Sequence, residues 1–347
     1  MTTLVVYHQG CADGSFAAAI IALAFPTDAK HYLPAVYSKD NGDIVNADGI
    51  KLDELTGIFD YERVIVVDFS FTERQMAVFT QHYKGNFKVL DHHNVRTHEL
   101  YKAECAKLGD VTPLPLVFTA AGSGALLAYL DHVTQFLNSG YVFVNNIIRI
   151  AQLVSDRDCW RRSNKRAFAF YEGYSKDVFS EVEKSGVIFD EMPPTVKKAF
   201  DIIVDGNIET IIADGFKNIV ERDEKIKHLI DTNSVFAEPN DLVPVKHAVV
   251  PCDKGIASEL GTHVYENYAH FQTVLLPRLG HRDPSRVFVS VRSSGYTENV
   301  AGSAKHIAQS QGGEGHINAA GFNMDAEEFK RLYPDLNLAF DSVGCDC

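Results

Sequence analysis

The sequence of 347 residues has no apolar run long enough to span a bilayer. Its first residues, MTTLVVYHQG, have neither a basic stretch nor a long apolar core, so a secretory signal is not expected. The chain has only six cysteines, spread from Cys11 to Cys347. Without a secretory signal we expect these thiols to be reduced, as they are in a cytoplasmic protein, and we predict no membrane partner.

Positive charge is also scarce, because 33 Lys and Arg face 46 Asp and Glu and the net charge is −13. A protein that holds long nucleic acid needs a basic surface to neutralise the phosphates. The acidic balance therefore argues against a long duplex partner. It is compatible with a small phosphorylated substrate, whose charge metal ions or a few Arg and His side chains could neutralise. The sequence does not indicate whether the protein is a monomer or a homodimer.

Short apolar runs alternate with helical patterns in the first half of the chain. Buried strands are predicted at residues 3–8, 63–70 and 86–94, and helices at 14–25, from the N-cap Thr72 onward, at 122–133 and at 143–156. Strand–helix alternation of this kind is typical of a doubly wound, mainly parallel sheet in an α/β fold.

The chain is longer than one hydrophobic core usually serves, so two domains are expected. Residues 191–235 have many charges and few strand signals, and they predict a helical linker that is entered through Pro193 and Pro194. Alternation of strands and helices then resumes. We therefore predict a catalytic domain at 1–190 and a smaller α/β domain at 236–347.

Polar side chains follow each predicted strand of the first domain, at the edge where parallel sheets bind ligands. They are His8 and Asp13 after the first strand, Asp68 after the second, and Asp91, His92 and His93 after the third, with Asp156 and Asp158 at the end of a helix. Any one of them has an ordinary structural explanation, such as a helix cap or a hydrogen-bonded core histidine. Their convergence on one rim instead predicts a site for a divalent transition metal.

Two motifs carry a resemblance to a known family. LDHHNV at 90–95, with Asp68 before it and VSDRD after it, resembles the DHH phosphoesterase family. SVRSS at 290–294 and GGEGHINAAGF at 312–322 resemble the C-terminal DHH-associated domain of that family. The motifs lie in the expected order, so the resemblance covers nearly the whole chain.

The resemblance implies two divalent ions, usually Mn²⁺, in an active-site cleft between the domains. It implies that His8 binds the first ion, that Asp68 bridges both, and that the second ion is bound by Asp13, His92 and Asp156. Asp91 would orient a ligating imidazole, His93 would face the substrate phosphate, and Asp158 would have a supporting catalytic role. The residues implied to bind substrate are Arg292, Gly312, Gly313, Gly315 and His316.

The function implied by the resemblance is hydrolysis of a phosphodiester by metal-activated hydroxide. The acidic chain favours short oligoribonucleotides or linear dinucleotides as substrates, with mononucleotides as products, over a long polymer. One alternative is a phosphomonoesterase on nucleoside bisphosphates or an exopolyphosphatase. A further alternative is a catalytically inactive nucleotide-binding sensor.

Cys11 departs from the family pattern, in which the first motif has two aspartates where this chain has Cys11 and Asp13. Three interpretations are open. Cys11 binds the first ion as a thiolate; or that ion is held weakly by His8, Asp68 and water; or Cys11 packs as a small apolar side chain. The last two are favoured at this stage, because a buried cysteine is common and Mn²⁺ gains little from a thiolate.

Overall fold

The computed structural model describes two compact units, Met1–Ile219 and Val220–Cys347. The residues that the structure describes are 1–37, 44–45, 57–93, 97–109, 111–114, 116–119, 121–159, 161, 164–178, 187–268, 270–280 and 283–338. The cysteines at 345 and 347 lie outside this set. Within it, we find no helix with the length and apolar character that a membrane crossing needs.

The first unit contains a six-stranded sheet with the order β3-β2-β1-β4-β5-β6. The strands are β1 (Thr2–His8), β2 (Ala29–Tyr37), β3 (Ile44–Val45), β4 (Arg63–Val67), β5 (Phe87–Asp91) and β6 (Val117–Phe118). Neighbouring strands run parallel except for β2 and β3, which pair antiparallel. The mainly parallel, doubly wound sheet predicted from the sequence is confirmed.

The order of the strands places a topological switch point beside β1. This strand pairs with β2 on one side and with β4 on the other, so the chain winds outward in both directions from it. Ligands of open α/β sheets bind in the crevice that such a switch opens at the carboxyl ends of the strands. Tyr7 pairs with Val67, so the residues that follow them, His8 and Asp68, lie side by side at this edge.

Helices cover both faces of the sheet. They are α1 (Ala12–Ala24), α2 (Glu73–Tyr83), α3 (Thr97–Lys107), α4 (Gly124–Asp131), α5 (Val133–Asn138), α6 (Val144–Asp158), α7 (Lys165–Val178), α8 (Pro194–Asp205) and α9 (Ile208–Thr232). Alternate residues of β1 enter different cores: Val5 and Tyr7 pack with α1, α4 and α6, whereas Leu4 and Val6 pack with α2 and α3. Burial of both faces explains why these strands appear as continuous apolar runs in the sequence.

The predicted helix boundary at Thr72 is confirmed. Its hydroxyl accepts a hydrogen bond from the backbone N–H of Gln75, and the Gln75 side chain accepts one from the backbone N–H of Thr72. This reciprocal capping box satisfies two donors that a helix start otherwise leaves without partners. Two elements are not predicted from the sequence: β2, whose AKHYLPAVY run is interrupted by Lys30 and Pro34, and the weakly amphipathic α3.

Helices predicted between residues 191 and 235 are present as α8 and α9. Val196, Ala199 and Ile203 of α8 are buried in the core of the first unit. Along the chain, the boundary between the two compact units falls within α9, after Ile219. The limits 1–190, 191–235 and 236–347 stay predictions about domains.

The second unit has its own six-stranded sheet, with the order β11-β12-β10-β9-β8-β7. The strands are β7 (Val235–Ala237), β8 (His247–Val249), β9 (Thr273–Leu279), β10 (Arg286–Ser293), β11 (Glu314–His316) and β12 (Ala319–Asp325). Only β8 and β9 run parallel among these described strands. The helices are α10 (Ala257–Asn267), α11 (Ala304–Ser310) and α12 (Ala326–Leu332), which confirms a second α/β unit.

Candidate metal centre

The turn between β1 and α1 brings the first motif to the switch point. A Cβ atom on Gly14, in the first turn of α1, would lie 2.3 Å from the backbone oxygen of His8. Only glycine therefore permits the helix to start this close to the end of β1. Cys11 occupies the N-cap position of α1, and Asp13 lies in its first turn.

Asp68 forms the middle of the centre. It is fully buried and has a left-handed backbone with φ of +63°, a conformation that Asp and Asn adopt more readily than other non-glycine residues. Its Oδ1 lies 3.2 Å from His92 Nε2, and its Oδ2 lies 3.4 Å from His8 Nδ1. One carboxylate thus faces two imidazoles with different oxygens, which is the arrangement that a bridging ligand requires.

Asp13 and Asp158 complete the surroundings of His92. The carboxylate of Asp13 accepts hydrogen bonds from the backbone N–H groups of Gly124 at 2.5 Å and Ala125 at 2.8 Å, at the start of α4, where the helix dipole favours negative charge. Asp13 Oδ2 is also 3.7 Å from His92 Nε2, and Asp158 Oδ2 is 3.0 Å from it. Three carboxylates therefore surround one imidazole nitrogen.

The concentration of negative charge shifts the pKa values of these groups. Burial, followed by the charges of Asp68 and Asp158, raises the pKa of Asp13 well above its ordinary value. Burial alone would lower the pKa of His92, but hydrogen bonds to Asp158 and Asp68 outweigh it and raise the pKa to about 11. Burial would raise the pKa of Asp68, but the neighbouring imidazoles of His8 and His92 hold it well below its usual range. The potential at this site favours cations.

Asp91 and His93 form a second pair at the end of β5. Asp91 is fully buried, and its Oδ1 accepts hydrogen bonds from the backbone N–H of His92 at 2.8 Å and from His93 Nδ1 at 2.8 Å. A carboxylate acceptor at Nδ1 fixes the proton on that nitrogen, so any contact of His93 with an ion or a phosphate uses Nε2. Asp91 was predicted to orient a ligating imidazole, and the ring that it contacts is that of His93.

Asp156 and Asp158 differ from the positions that the sequence implied. Asp156 contacts Arg161 Nη1 at 3.1 Å and Asn164 Nδ2 at 2.7 Å, and it belongs to none of the ligand groups found among the described residues. Asp158 contacts His92 instead. Asp156 and Asp158 are two positions apart on a helix, which places them about 200° apart around its axis. Only one of them can therefore face the centre. Of the two, Asp158 is the residue that contacts His92, and a ligand role for Asp156 stays a prediction.

The candidate ligand atoms form three groups, in each of which all atoms lie within 4.8 Å of one another. The groups are His8, Cys11 and Asp68; Asp68, His92 and His93; and Asp13, His92 and Asp158. Imidazole and carboxylate donors suit divalent transition metals. Asp68 Oδ2 is buried and has no donor in hydrogen-bonding geometry in the described part of the chain, which fits an oxygen that binds an ion. The residues present therefore fit the implied metal.

A small cavity of about 130 Å³ adjoins the centre, and sequence reasoning missed the side chains on its far side. Cys11, Asp13 and Asp158 line it together with Arg157, whose guanidinium lies 4.5 Å from the centroid of the Tyr171 ring. Stacking on an aromatic ring holds a guanidinium in place. The only signal in the sequence is the position of Arg157 between two acidic residues in SDRD.

The predicted substrate residues lie in the second unit. Arg292, Ala319 and His316 occupy the same level on β10, β12 and β11, and the side chain of His316 lies outside the part that the structure describes. A Cβ atom on Gly313 or Gly315 would lie 2.2 Å or 2.4 Å from the backbone of β12, so close strand packing requires glycine at both positions. Gly312 and Gly313 also line an open cleft of about 620 Å³ with Arg278 and Arg286. The substrate roles stay predictions.

No family model matches this sequence, and no curated protein is significantly similar to it. Its fold, in contrast, is shared with solved structures. The pGpG-specific phosphodiesterase PggH from Vibrio cholerae has a TM-score of 0.51 and 10% identity over 96% of this chain and 97% of that chain.

Two further solved structures are more distant in shape. The DHH domain of a member of the s1p family of ribosomal proteins has a TM-score of 0.48 and 15% identity, over 95% of this chain and 84% of that chain. RecJ from Thermus thermophilus, in complex with Mn²⁺, has a TM-score of 0.45 and 14% identity, over 96% of this chain and 51% of that chain. The likeness to the phosphodiesterase establishes the fold alone: the chain shares the α/β fold of that structure over nearly the full length of both chains.

Proposed function

We propose that the protein is a metal-dependent phosphodiesterase that hydrolyses short oligoribonucleotides or linear dinucleotides to mononucleotides. The observation that carries the proposal is the position of Asp68, which faces His8 with one oxygen and His92 with the other. Two overlapping donor groups that share one carboxylate match the needs of a two-ion phosphoryl-transfer site. We propose that His8 and Asp68 bind one ion and that Asp68, Asp13, His92 and Asp158 bind the other.

Divalent ions such as Mn²⁺, when bound, would supply the Lewis acidity that lowers the pKa of the attacking water and neutralises charge on the phosphoryl group. The protein's own residues hold the reacting groups in place. Backbone N–H groups of α4 fix the carboxylate of Asp13. Asp91 holds the proton of His93 on Nδ1, which turns Nε2 toward other partners and allows it to contact a phosphate oxygen.

The choice of a short substrate rests on charge and on the second unit. A chain with a net charge of −13 has little means of following a long polyanion along its backbone. Arg292 is half-buried on β10, and Gly312 and Gly313 line an open cleft of the second unit. We propose that these groups and His316 hold the terminal nucleotide of the substrate.

The test is a parallel assay of three substrates with Mn²⁺ present. A 5′-phosphorylated dinucleotide is compared with a nucleoside bisphosphate and with polyphosphate, and products are separated by anion-exchange chromatography. Mononucleotides from the dinucleotide alone support the proposal. Release of phosphate from the other two substrates, with the dinucleotide intact, would favour a phosphomonoesterase or an exopolyphosphatase. No turnover of any substrate, with the dinucleotide bound, would favour a nucleotide sensor.

A further inference from the structure

Cys11 lies within the candidate metal centre. Its Sγ, an imidazole nitrogen of His8 and a carboxylate oxygen of Asp68 all lie within 4.8 Å of one another. We infer that Cys11 is a thiolate ligand of the ion held by His8 and Asp68, and that it makes this position selective for Fe²⁺, Co²⁺ or Zn²⁺ over Mn²⁺ and Mg²⁺. The inference rests on the proposed function only in that both require an ion at this position.

Two of the three donors already lie at a separation that one ion can span. Sulfur and nitrogen ligands bind transition metals at about 2.0–2.3 Å, which places two ligands of a tetrahedral ion roughly 3.5 Å apart. His8 Nδ1 and Asp68 Oδ2 already lie 3.4 Å apart. The Asp68 oxygen is buried and has no donor in hydrogen-bonding geometry among the described residues. The thiol therefore adds a third donor to a pair that is already set for coordination.

The backbone holds Cys11 in position. Its carbonyl oxygen accepts hydrogen bonds from the hydroxyl of Ser15 at 2.9 Å and from the backbone N–H of Ser15 at 3.2 Å. The N-cap conformation, with φ of −122° and ψ of 135°, starts α1 at the residue that follows. A ligand whose backbone is fixed in this way needs only a side-chain rotation to reach an ion, so coordination costs little conformational entropy.

The alternative in which Cys11 only fills space explains the site less well. Cys11 is partly exposed, whereas cysteines that act as small apolar side chains are usually fully buried. Its charged neighbours are the carboxylates of Asp68, Asp13 and Asp158. A cation at this point would balance their negative charge.

Sulfur as a ligand changes which ions the position prefers. Thiolates are soft donors that favour Zn²⁺, Fe²⁺ and Co²⁺, whereas Mn²⁺ and Mg²⁺ prefer oxygen. An aspartate in place of Cys11 would make the position an oxygen-rich one. The substitution of cysteine for aspartate in the first motif thus adjusts one of the two ion positions and leaves the group of Asp13, His92 and Asp158 without sulfur.

The experiment is titration of the full-length protein with Co²⁺, followed by absorption spectroscopy. All proteins carry Cys345→Ser and Cys347→Ser, so that the C-terminal CDC sequence cannot contribute sulfur ligands. A thiolate bound to Co²⁺ gives a charge-transfer band in the near ultraviolet, whereas nitrogen and oxygen ligands give only the weaker visible bands. Cys159→Ser serves as the matched control, because Cys159 follows Asp158 directly but belongs to none of the described ligand groups.

We expect the band in the parent protein and in Cys159→Ser, and its loss in Cys11→Ser with Co²⁺ affinity reduced at least about tenfold. Cys11→Asp should bind Co²⁺ without the band and should shift the Mn²⁺-to-Co²⁺ affinity ratio toward Mn²⁺, which keeps the test valid if the serine variant folds poorly. Co²⁺ bound without the band, or a band that survives in both Cys11 variants, overturns the inference and leaves the proposed function intact. Absence of Co²⁺ and Mn²⁺ binding in the parent protein overturns both.

Discussion

Each unit of the protein contains a buried polar cluster. The two clusters differ in whether their buried polar atoms find hydrogen-bond partners within the protein. In the second unit, His247 Nδ1 donates to the backbone oxygen of Val245 at 2.8 Å, and the Tyr333 hydroxyl donates to His247 Nε2 at 2.6 Å. Asn240 Nδ2 in turn donates to the Tyr333 hydroxyl at 3.2 Å. Every nitrogen and oxygen of the histidine and the tyrosine has a partner, and the cluster carries no net charge.

The candidate metal centre of the first unit has the opposite character. Acidic side chains outnumber donors, and the buried oxygens Asp68 Oδ2 and Asp91 Oδ2 have no donor in hydrogen-bonding geometry among the described residues. Burying unpaired polar atoms and like charges costs free energy, so a fold retains such a cluster only where something else compensates for it. A surplus of buried hydrogen-bond acceptors therefore indicates a ligand site better than the mere presence of buried histidine and aspartate does.

The largest expected effect comes from Asp68→Asn, which keeps the shape and the tolerance for left-handed backbone but removes the shared charge. We expect turnover to fall by at least about 100-fold, because changing residues that merely orient a ligand already costs up to that much. Steady-state kinetics, with metal content measured on the same samples, checks this. His247→Phe is the control in the other cluster and should keep its turnover. A fully active Asp68→Asn enzyme would contradict the assignment of the centre.

Gly124→Ala should damage the centre without changing any charge. The added Cβ would lie 2.8 Å from Asp68 Cβ and 2.9 Å from its backbone, so either α4 or Asp68 must move. We expect a loss of about 1–3 kcal/mol in the free energy of unfolding, as in other overpacked cores, and at least a tenfold loss of turnover. Gly85→Ala is the matched control, because nothing lies within 4 Å of its added Cβ. Equal stability and turnover in both variants would show that the close approach is unimportant.

Divalent metal should stabilise the first unit, which contains the candidate metal centre, more than the second. An ion at 100 times its dissociation constant adds about 2.7 kcal/mol to the stability of whatever folded structure binds it. We therefore expect Mn²⁺ to raise the thermal midpoint of the wild-type protein and a chelator to lower it and to abolish turnover. The shift should vanish in Asp68→Asn and persist in His247→Phe. A shift retained in Asp68→Asn would place the bound ion elsewhere.

The cluster of His247, Tyr333 and Asn240 in the second unit should affect stability and not turnover. His247→Phe leaves the Tyr333 hydroxyl and the Val245 oxygen without their partner, which we expect to cost about 2–3 kcal/mol. Tyr333→Phe should cost less, about 1–2 kcal/mol, because it removes the hydroxyl and leaves only its partners unpaired. Calorimetric unfolding measures both. Turnover below the unfolding transition should stay at the wild-type level, and a selective loss of turnover would give this cluster a functional role.

The smallest expected effect is a pH dependence. Burial lowers the pKa of His247, and the hydrogen bond to Val245 only partly opposes this. The unfolded chain, with a histidine pKa of about 6.5, therefore binds a proton that the folded unit does not. The contribution of neutral His247 is complete above that pH and is lost as the pH falls below it, by at most about 1.4 kcal/mol per pH unit. The stability difference between wild type and His247→Phe should accordingly shrink between pH 7 and about pH 5, and a constant difference would contradict it.

Much of the fold and of the candidate site could be predicted from the sequence, because the patterns that indicate them lie in short local stretches. Apolar runs with polar ends are visible in β1, β4 and β5 because burial on both faces demands them. His8, Asp13, Asp68 and His92 were predicted as ligands, and the structure brings them together. The strands β2 and β6 were not predicted, because their residues are mixed in character or few and their conformation depends on pairing with neighbouring strands.

The sequence by itself indicated the chemistry. It showed which residues able to bind a metal or a phosphate follow each strand, and it showed that positive charge is scarce. Only the tertiary structure shows that Asp158, and not Asp156, contacts His92, because helical phase and the packing of α6 select which of the two faces it. Only it placed Cys11 beside His8 and Asp68 and Arg157 on Tyr171. These outcomes depend on distances between segments far apart in the chain, and such distances are set by packing.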